Sequence, residues 1–195
     1  MIKAILLIFD PTATWDGIVL DRKSFRRILF LYLTPMVFFS AAIQVAGQIY
    51  FGQHSESADW DRAHQIHIYC YGAIQFLLSF AVVFICTKAI KTIAETFHSR
   101  NTFSQCFTLV AYGLSPLFLL SLLNAFPFIN PWLGFGIGIA LSVGTVYSGL
   151  PRVMLPDPPH AFGLYFMSSL LLVAISALAA VVNWGILTGK LKLLH

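Results

Sequence analysis

Five stretches of this chain, residues 28–47, 69–87, 105–126, 132–150 and 162–187, contain no Asp, Glu, Lys or Arg. Each is close to the ~20 apolar residues that a helix needs to cross the hydrocarbon of a bilayer. The last is long enough to span with tilt or to extend past the interface. A soluble helical bundle would need a polar face on each of these helices, and none of the five has one. Composition agrees: 58% of the residues are hydrophobic and only 10% charged, against roughly 25% charged in a soluble domain. The expected fold is all-α, a polytopic membrane helix bundle with five transmembrane helices, formed as a single domain over residues 1–195.

Lys and Arg set the orientation. Lys3, Arg22, Lys23, Arg26 and Arg27 precede the first span; Lys88, Lys91 and Arg100 lie between the second and third; Arg152 lies between the fourth and fifth. These are nine of the twelve basic residues, and the other side keeps Arg62, Lys190 and Lys192. Short loops rich in Lys and Arg stay cytoplasmic. The N-terminus is therefore expected inside and the C-terminal tail outside, in a multi-pass membrane protein. The net charge of +4 is explained by anionic lipid headgroups beside these clusters, so no nucleic-acid partner is expected. Residues 4–9 are too short an apolar run for a secretory signal and are read as part of the mature chain.

Residues 11–27 read as an amphipathic interfacial helix leading into the membrane. Trp15, Ile18, Val19 and Phe25 recur at helical spacing, with Asp16, Asp21, Lys23 and Arg27 on the other face. Trp15 suits the headgroup level and the bases suit the cytoplasmic leaflet. The loop over residues 48–68 is the longest polar stretch, with His54, Glu56, Asp59, Asp61, Arg62, His64 and His67. His64 and His67 could share a helix face with Asp61 one turn earlier, but no further ligand pair has metal-site spacing. A solvated loop is the preferred reading, and no metal or cofactor is expected. Cys70, Cys86 and Cys106 lack CxxC spacing and read as packed thiols.

Pro127 and Pro131 mark a tight turn that makes spans three and four a hairpin. Pro116 should kink the third span, since its missing amide leaves a carbonyl one turn earlier without a donor. Gly134, Gly138 and Ser142 form a four-residue repeat on one face of the fourth span, the small-residue seam that lets helices approach closely in lipid. It is expected to pack within the chain, with a contact between copies of the protein as the other option. Gly149 and Pro151 are expected to end the fourth helix, and Pro156, Pro158 and Pro159 to keep the linker to the fifth non-helical. The linker is read as a rigid structural turn, with a partner- or lipid-binding cytoplasmic surface of Arg152, Asp157 and His160 as the other option.

The five runs hold no ionisable group, so proton-coupled transport and intramembrane hydrolysis lack their usual residues. Gln44, Gln75, Asn124 and Asn183 are read as interhelical hydrogen-bond partners. The chain has no Gly-rich phosphate loop, GxSxG elbow or HExxH pair. An enzyme is not expected; a lipid-directed one would have to assemble Asp59, Asp61, His64 and His67 from one loop.

Three stretches carry a resemblance. They are Ala111-Tyr112-Gly113-Leu114-Ser115-Pro116, Tyr147-Ser148-Gly149-Leu150-Pro151-Arg152-Val153-Met154, and Pro159-His160-Ala161-Phe162-Gly163-Leu164-Tyr165. With Asp10-Pro11-Thr12-Ala13-Thr14-Trp15 before the membrane, the chain resembles the Yip (Ypt-interacting protein) domain family, especially its bacterial branch. The resemblance implies a five-pass domain with a cytoplasmic N-terminus, in a bacterial inner membrane. Eukaryotic members bind Rab-type GTPases in vesicle trafficking. The long N-terminal region of many of those members has no counterpart here, so GTPase binding is not carried over.

The expected function is non-enzymatic: organising protein or lipid partners at a cytoplasmic face made of Trp15, Arg22, Lys23, Arg26, Arg27, Lys88, Lys91 and Arg152. The alternative is a channel or transporter for a small neutral solute, with the Pro116 kink as its moving part.

Overall fold

A computed structural model describes residues 2–21, 23–53, 62–97, 101–126, 128–156 and 158–187. All of its regular structure is helical, with no strand among the described residues. Five helical segments are long and apolar enough to cross a membrane: Phe25–Phe51, Ile68–Thr96, Phe103–Ala125, Pro131–Val153 and Ala161–Ile186. Large apolar side chains such as Phe30, Leu31, Leu77, Ile85 and Leu178 are exposed on them, which suits lipid and not water.

The helices run past the charge-free stretches that define them. Helix α5 (Arg62–Thr96) begins with Arg62 and continues through Lys88, Lys91 and Glu95. Absence of charge marks the depth of hydrocarbon, whereas a helix ends only where its backbone bonds end. The polar loop is accordingly shorter than residues 48–68: helix α4 (Thr34–Gln53) takes its start and α5 its close. His64 and His67 fall in the first turns of α5, while His54, Glu56, Asp59 and Asp61 lie outside the described residues.

The first span opens with α3 (Phe25–Ile28) and a π-helical turn, Leu29–Leu33, before α4. Pro35 is the cause. It supplies no amide to the Leu31 carbonyl one turn back, and the Thr34 amide instead pairs five residues back with the Leu29 carbonyl. The Thr34 hydroxyl donates to that same carbonyl at 2.9 Å.

The third span is broken at Pro116, as expected from the missing amide. Helix α6 (Phe103–Gly113) stops, α7 (Ser115–Leu120) restarts with Pro116 in its first turn, and a 3₁₀ turn, Ser121–Ala125, closes the span. Helix α6 starts on a Thr102/Gln105 capping box. Helix α8 (Pro131–Val153) returns after a short turn, with the Asn130 side chain accepting from the Trp132 amide at 3.0 Å. Of the two turn prolines, Pro131 opens α8 and Pro127 lies outside the described residues. The small-residue seam packs inside the chain. A Cβ on Gly138 would sit 3.0 Å from the Leu117 Cα, and one on Gly134 3.0 Å from the Leu120 carbonyl. The Ser142 hydroxyl accepts from the Leu117 amide at 3.2 Å, a donor that the Pro116 break frees from the regular ladder.

Two proline expectations are corrected. Helix α8 continues through Gly149 and Pro151 to Val153 and turns at Leu155, which takes a left-handed φ of 43°. Helix α9 (Pro158–Leu187) starts on Pro158 and Pro159. Proline is tolerated in a first turn because those amides have no intrahelical partner anyway.

Toward the end of the bundle opposite the N-terminus, polar side chains bond across helices. Gln44, fully buried, donates to Ser40 at 3.1 Å and Ser121 at 3.2 Å, and its carbonyl accepts from the Tyr71 hydroxyl at 3.0 Å. Asn183 of α9 donates to that hydroxyl at 3.3 Å. Replacing Gln44 with Leu removes three of these bonds at once and is expected to cost about 1 kcal/mol, the scale of interhelical hydrogen bonds in lipid. Reversible unfolding in mixed micelles would show it; an unchanged midpoint would mean the network is incidental.

Candidate functional site

The helix expected over residues 11–27 forms as α2 (Pro11–Leu20), shorter than expected, and a further helix, α1 (Ile2–Phe9), precedes it; Asp10 lies between them and its carboxylate caps α2 by accepting from the Ala13 amide at 3.2 Å. The chain then leaves helix before Phe25 starts the first span. Helix α1 packs on α7, and α2 packs on α8.

Trp15 is therefore corrected: it faces the bundle, with 0% of its surface exposed. Its indole donates to the Thr145 carbonyl at 2.9 Å and meets Tyr112 edge-on at 6.2 Å. Gly149 leaves the room it occupies; a Cβ there would fall onto the indole. Gly113 likewise admits Val146 of α8. Tyr147, two residues along α8 from the Thr145 that accepts from Trp15, meets Tyr165 of α9 edge to face at 4.6 Å, and Ala161 opens the fifth span. Three of the motif stretches are thus packing surfaces for one another.

The basic residues gather at the same end, and most have carboxylate partners. Arg152 pairs with Asp16 at 2.8 Å and donates to the Ser148 carbonyl at 2.8 Å. Lys91 pairs with Glu95 one turn along α5 at 3.4 Å. Lys3 at 2.5 Å and Lys23 at 3.3 Å both hold Asp21. The Lys3 hydrogen bond first, then that of Lys23, keeps the Asp21 carboxyl below the usual carboxylate value, so this clasp is ionised at neutral pH. Arg26, Arg27 and Lys88 are exposed and have no ion pair among the described residues. Arg22 and Asp157 lie outside the described residues, as does the side chain of His160.

Beside the clasp is a groove of about 500 Å³, lined by Lys3, Lys23, Arg27, Ile28, Leu31, Tyr32 and Tyr112. Three cations rim it and apolar or aromatic side chains floor it. The π-helical turn supplies Leu31 and Tyr32. Tyr32 is fixed by a 2.5 Å hydroxyl contact to Ser115 and by its ring against Tyr112 at 4.0 Å. Of these residues, Lys3 and Tyr32 were not legible as site residues in sequence; Asp21, alone among four bases, was the available signal.

A second cavity, of about 100 Å³, lies between α5, α7, α8 and α9, with Gln75, Ser79, Ser121, Asn124, Ser176 and Asn183 among its lining. The Ser176 hydroxyl and the Asn183 carbonyl are buried there with no hydrogen-bond partner among the described residues. Among the described residues no group of three His, Cys, Asp or Glu is placed to hold a metal. Cys86 and Cys106 are buried and Cys70 half-buried, all as free thiols.

These features define the class: a polytopic α-helical membrane protein whose N-terminal helices are packed into its bundle. Compared with protein families, residues 5–184 match the Yip1 domain, and the chain belongs to that family. No curated protein and no solved structure matches it.

Proposed function

We propose that this protein is a non-enzymatic organiser of membrane partners, gathering protein or anionic lipid at its basic end. The observation that carries the reading is the uneven pairing of charge there. Arg26, Arg27 and Lys88 are exposed and have no ion pair among the described residues, whereas Lys3, Lys23, Lys91 and Arg152 each already have a carboxylate. A membrane face with surplus exposed cations attracts anionic headgroups and acidic protein segments. The orientation that suits this reading is the one the charge count favours, with the basic end cytoplasmic, in a bacterial inner membrane. Trp15 drops out of the surface, being buried, and Arg152 serves first to hold Asp16 of α2.

The test is photocrosslinking and copurification from native membranes, comparing the natural chain with an Arg26→Gln, Arg27→Gln, Lys88→Gln variant. A specific set of partners that the variant loses is expected. Recovery of no specific protein or lipid by the natural chain would sink the reading.

A further inference from the structure

We propose that the groove between the N-terminal segment and the first span is a site for one anionic glycerophospholipid, a proposal that rests on the reading of the basic end given above and names its ligand. The argument begins with charge. Lys3, Lys23 and Arg27 line the groove and, among the described residues, Asp21 is the one carboxylate bound to them, which leaves a surplus of two positive charges within that set. Asp21 is shared by Lys3 and Lys23, and Arg27 has no carboxylate among the described residues. An incoming phosphodiester finds one unpaired guanidinium, suited to two parallel hydrogen bonds to phosphate oxygens. It also finds two ammonium groups that have donors left beyond Asp21, since each carries three.

The floor sets the class of molecule. A free phosphate would need polar contacts on every side, but below the rim the groove is lined by Ile28, Leu31, Tyr32 and Tyr112. Leu31 is 71% exposed on the outside of the first span, so the lower groove opens toward the acyl chains. A ligand with a charged end and an apolar body fills both halves. Arg27 stands at the start of the first span and Leu31 one turn further in, which is the sequence of environments a lipid meets from headgroup to chain. The backbone has been shaped at this place: the π-helical turn Leu29–Leu33 presents Leu31 and Tyr32 to the groove, and such turns concentrate at functional sites. Tyr112, a lining residue of the groove, has a hydroxyl that makes no hydrogen bond with a described residue, and it supplies a donor for a lipid oxygen there.

The experiment uses the full chain in detergent, titrated with phosphatidylglycerol, with phosphatidylcholine, and with inorganic phosphate plus glycerol 3-phosphate. Bound lipid is counted by native mass spectrometry. One phosphatidylglycerol per chain is expected, with phosphatidylcholine and the soluble phosphates failing to compete. The Lys23→Gln, Arg27→Gln variant should bind it roughly 30-fold more weakly, at about fivefold for each cation removed. Lys91→Gln, which alters the same end away from the groove at a lysine already paired with Glu95, should change binding less than about twofold on the same scale. Equal loss in both variants would overturn the groove while leaving a diffuse basic face intact. Equal binding of phosphatidylcholine would overturn it, and so would competition by the soluble phosphates. Because both variants alter exposed or half-exposed side chains, unfolding is checked by their melting midpoints, and Leu31→Ser, which leaves the charges in place, should weaken the lipid without creating a phosphate site.

Discussion

Gly149→Ala is expected to lower the unfolding free energy by roughly 3 kcal/mol, a large effect for one methyl group on a helix where alanine is otherwise preferred. The new carbon would overlap the Trp15 indole, 2.5 Å from its Cζ2 and 2.9 Å from its Cδ2. The ring cannot retreat, being held by the Thr145 carbonyl at 2.9 Å and by the edge of Tyr112. The indole must leave, and α2 leaves with it. Trp15→Ala should cost about as much, since emptying a buried tryptophan site costs about 3–5 kcal/mol. The informative measurement is the double variant. Once Trp15 is alanine, Gly149→Ala has nothing to strike and should become neutral or slightly stabilising, by up to about 1 kcal/mol. Melting in a fixed detergent, with tryptophan emission to follow exposure of the ring, gives all four corners of the cycle. Strict additivity would show that the two residues do not meet.

Gly47→Ala should be comparably damaging for a different reason. Its Cβ would strike the backbone itself, 2.8 Å from the Ala125 Cα and closer still to the Ala125 carbonyl. Main chain cannot rotate away as a side chain can. The first span would have to part from the 3₁₀ turn, breaking the 2.7 Å bond from Gln48 to the Asn124 carbonyl and loosening Ser40 and Gln44 from Ser121. A loss of about 2–4 kcal/mol is expected from the displaced packing and these bonds together. Gly136→Ala and Gly144→Ala supply the contrast. Nothing lies within 4 Å of either position, so they should be neutral or stabilising by about 0.5–1 kcal/mol. Equal melting shifts at Gly47 and Gly136 would refute the close approach.

The five spans and their order could be read from charge alone, because the penalty for a charge in hydrocarbon is large and leaves a plain gap in the sequence. Lys88, Lys91 and Glu95 show the limit of that signal. They sit on the helix but beyond the lipid, so the charge-free run ended while the helix continued. Trp15 shows another. An aromatic residue near a basic cluster has the composition of an interfacial anchor, and nothing local distinguishes that from a side chain buried against a helix 130 residues later. Gly149 was the other half of the information. A glycine two residues before a proline reads as helix punctuation, and only the fold shows that it makes room for a ring. Prolines misled for a related reason: Pro158 and Pro159 stop a helix when preceded by one and start it when nothing helical comes before. The cations of the groove were visible in sequence, but the groove was not. It exists because α1 folds back to bring Lys3 beside Asp21 and because Pro35 widens the turn above it.

The bond from Trp15 to Thr145 also fixes an order of events during biogenesis. A ribosome adding roughly 5–20 residues per second makes the α8 carbonyl some 6–26 s after the indole that donates to it. For most of that interval α1 and α2 have neither α7 nor α8 to cover Leu7 and Trp15, and must wait at the membrane surface or in the grip of the insertion machinery. Their docking is thus a late step that closes only when the fourth span has arrived, so a truncated chain ending before Thr145 would leave its own N-terminus unlatched and open to proteolysis.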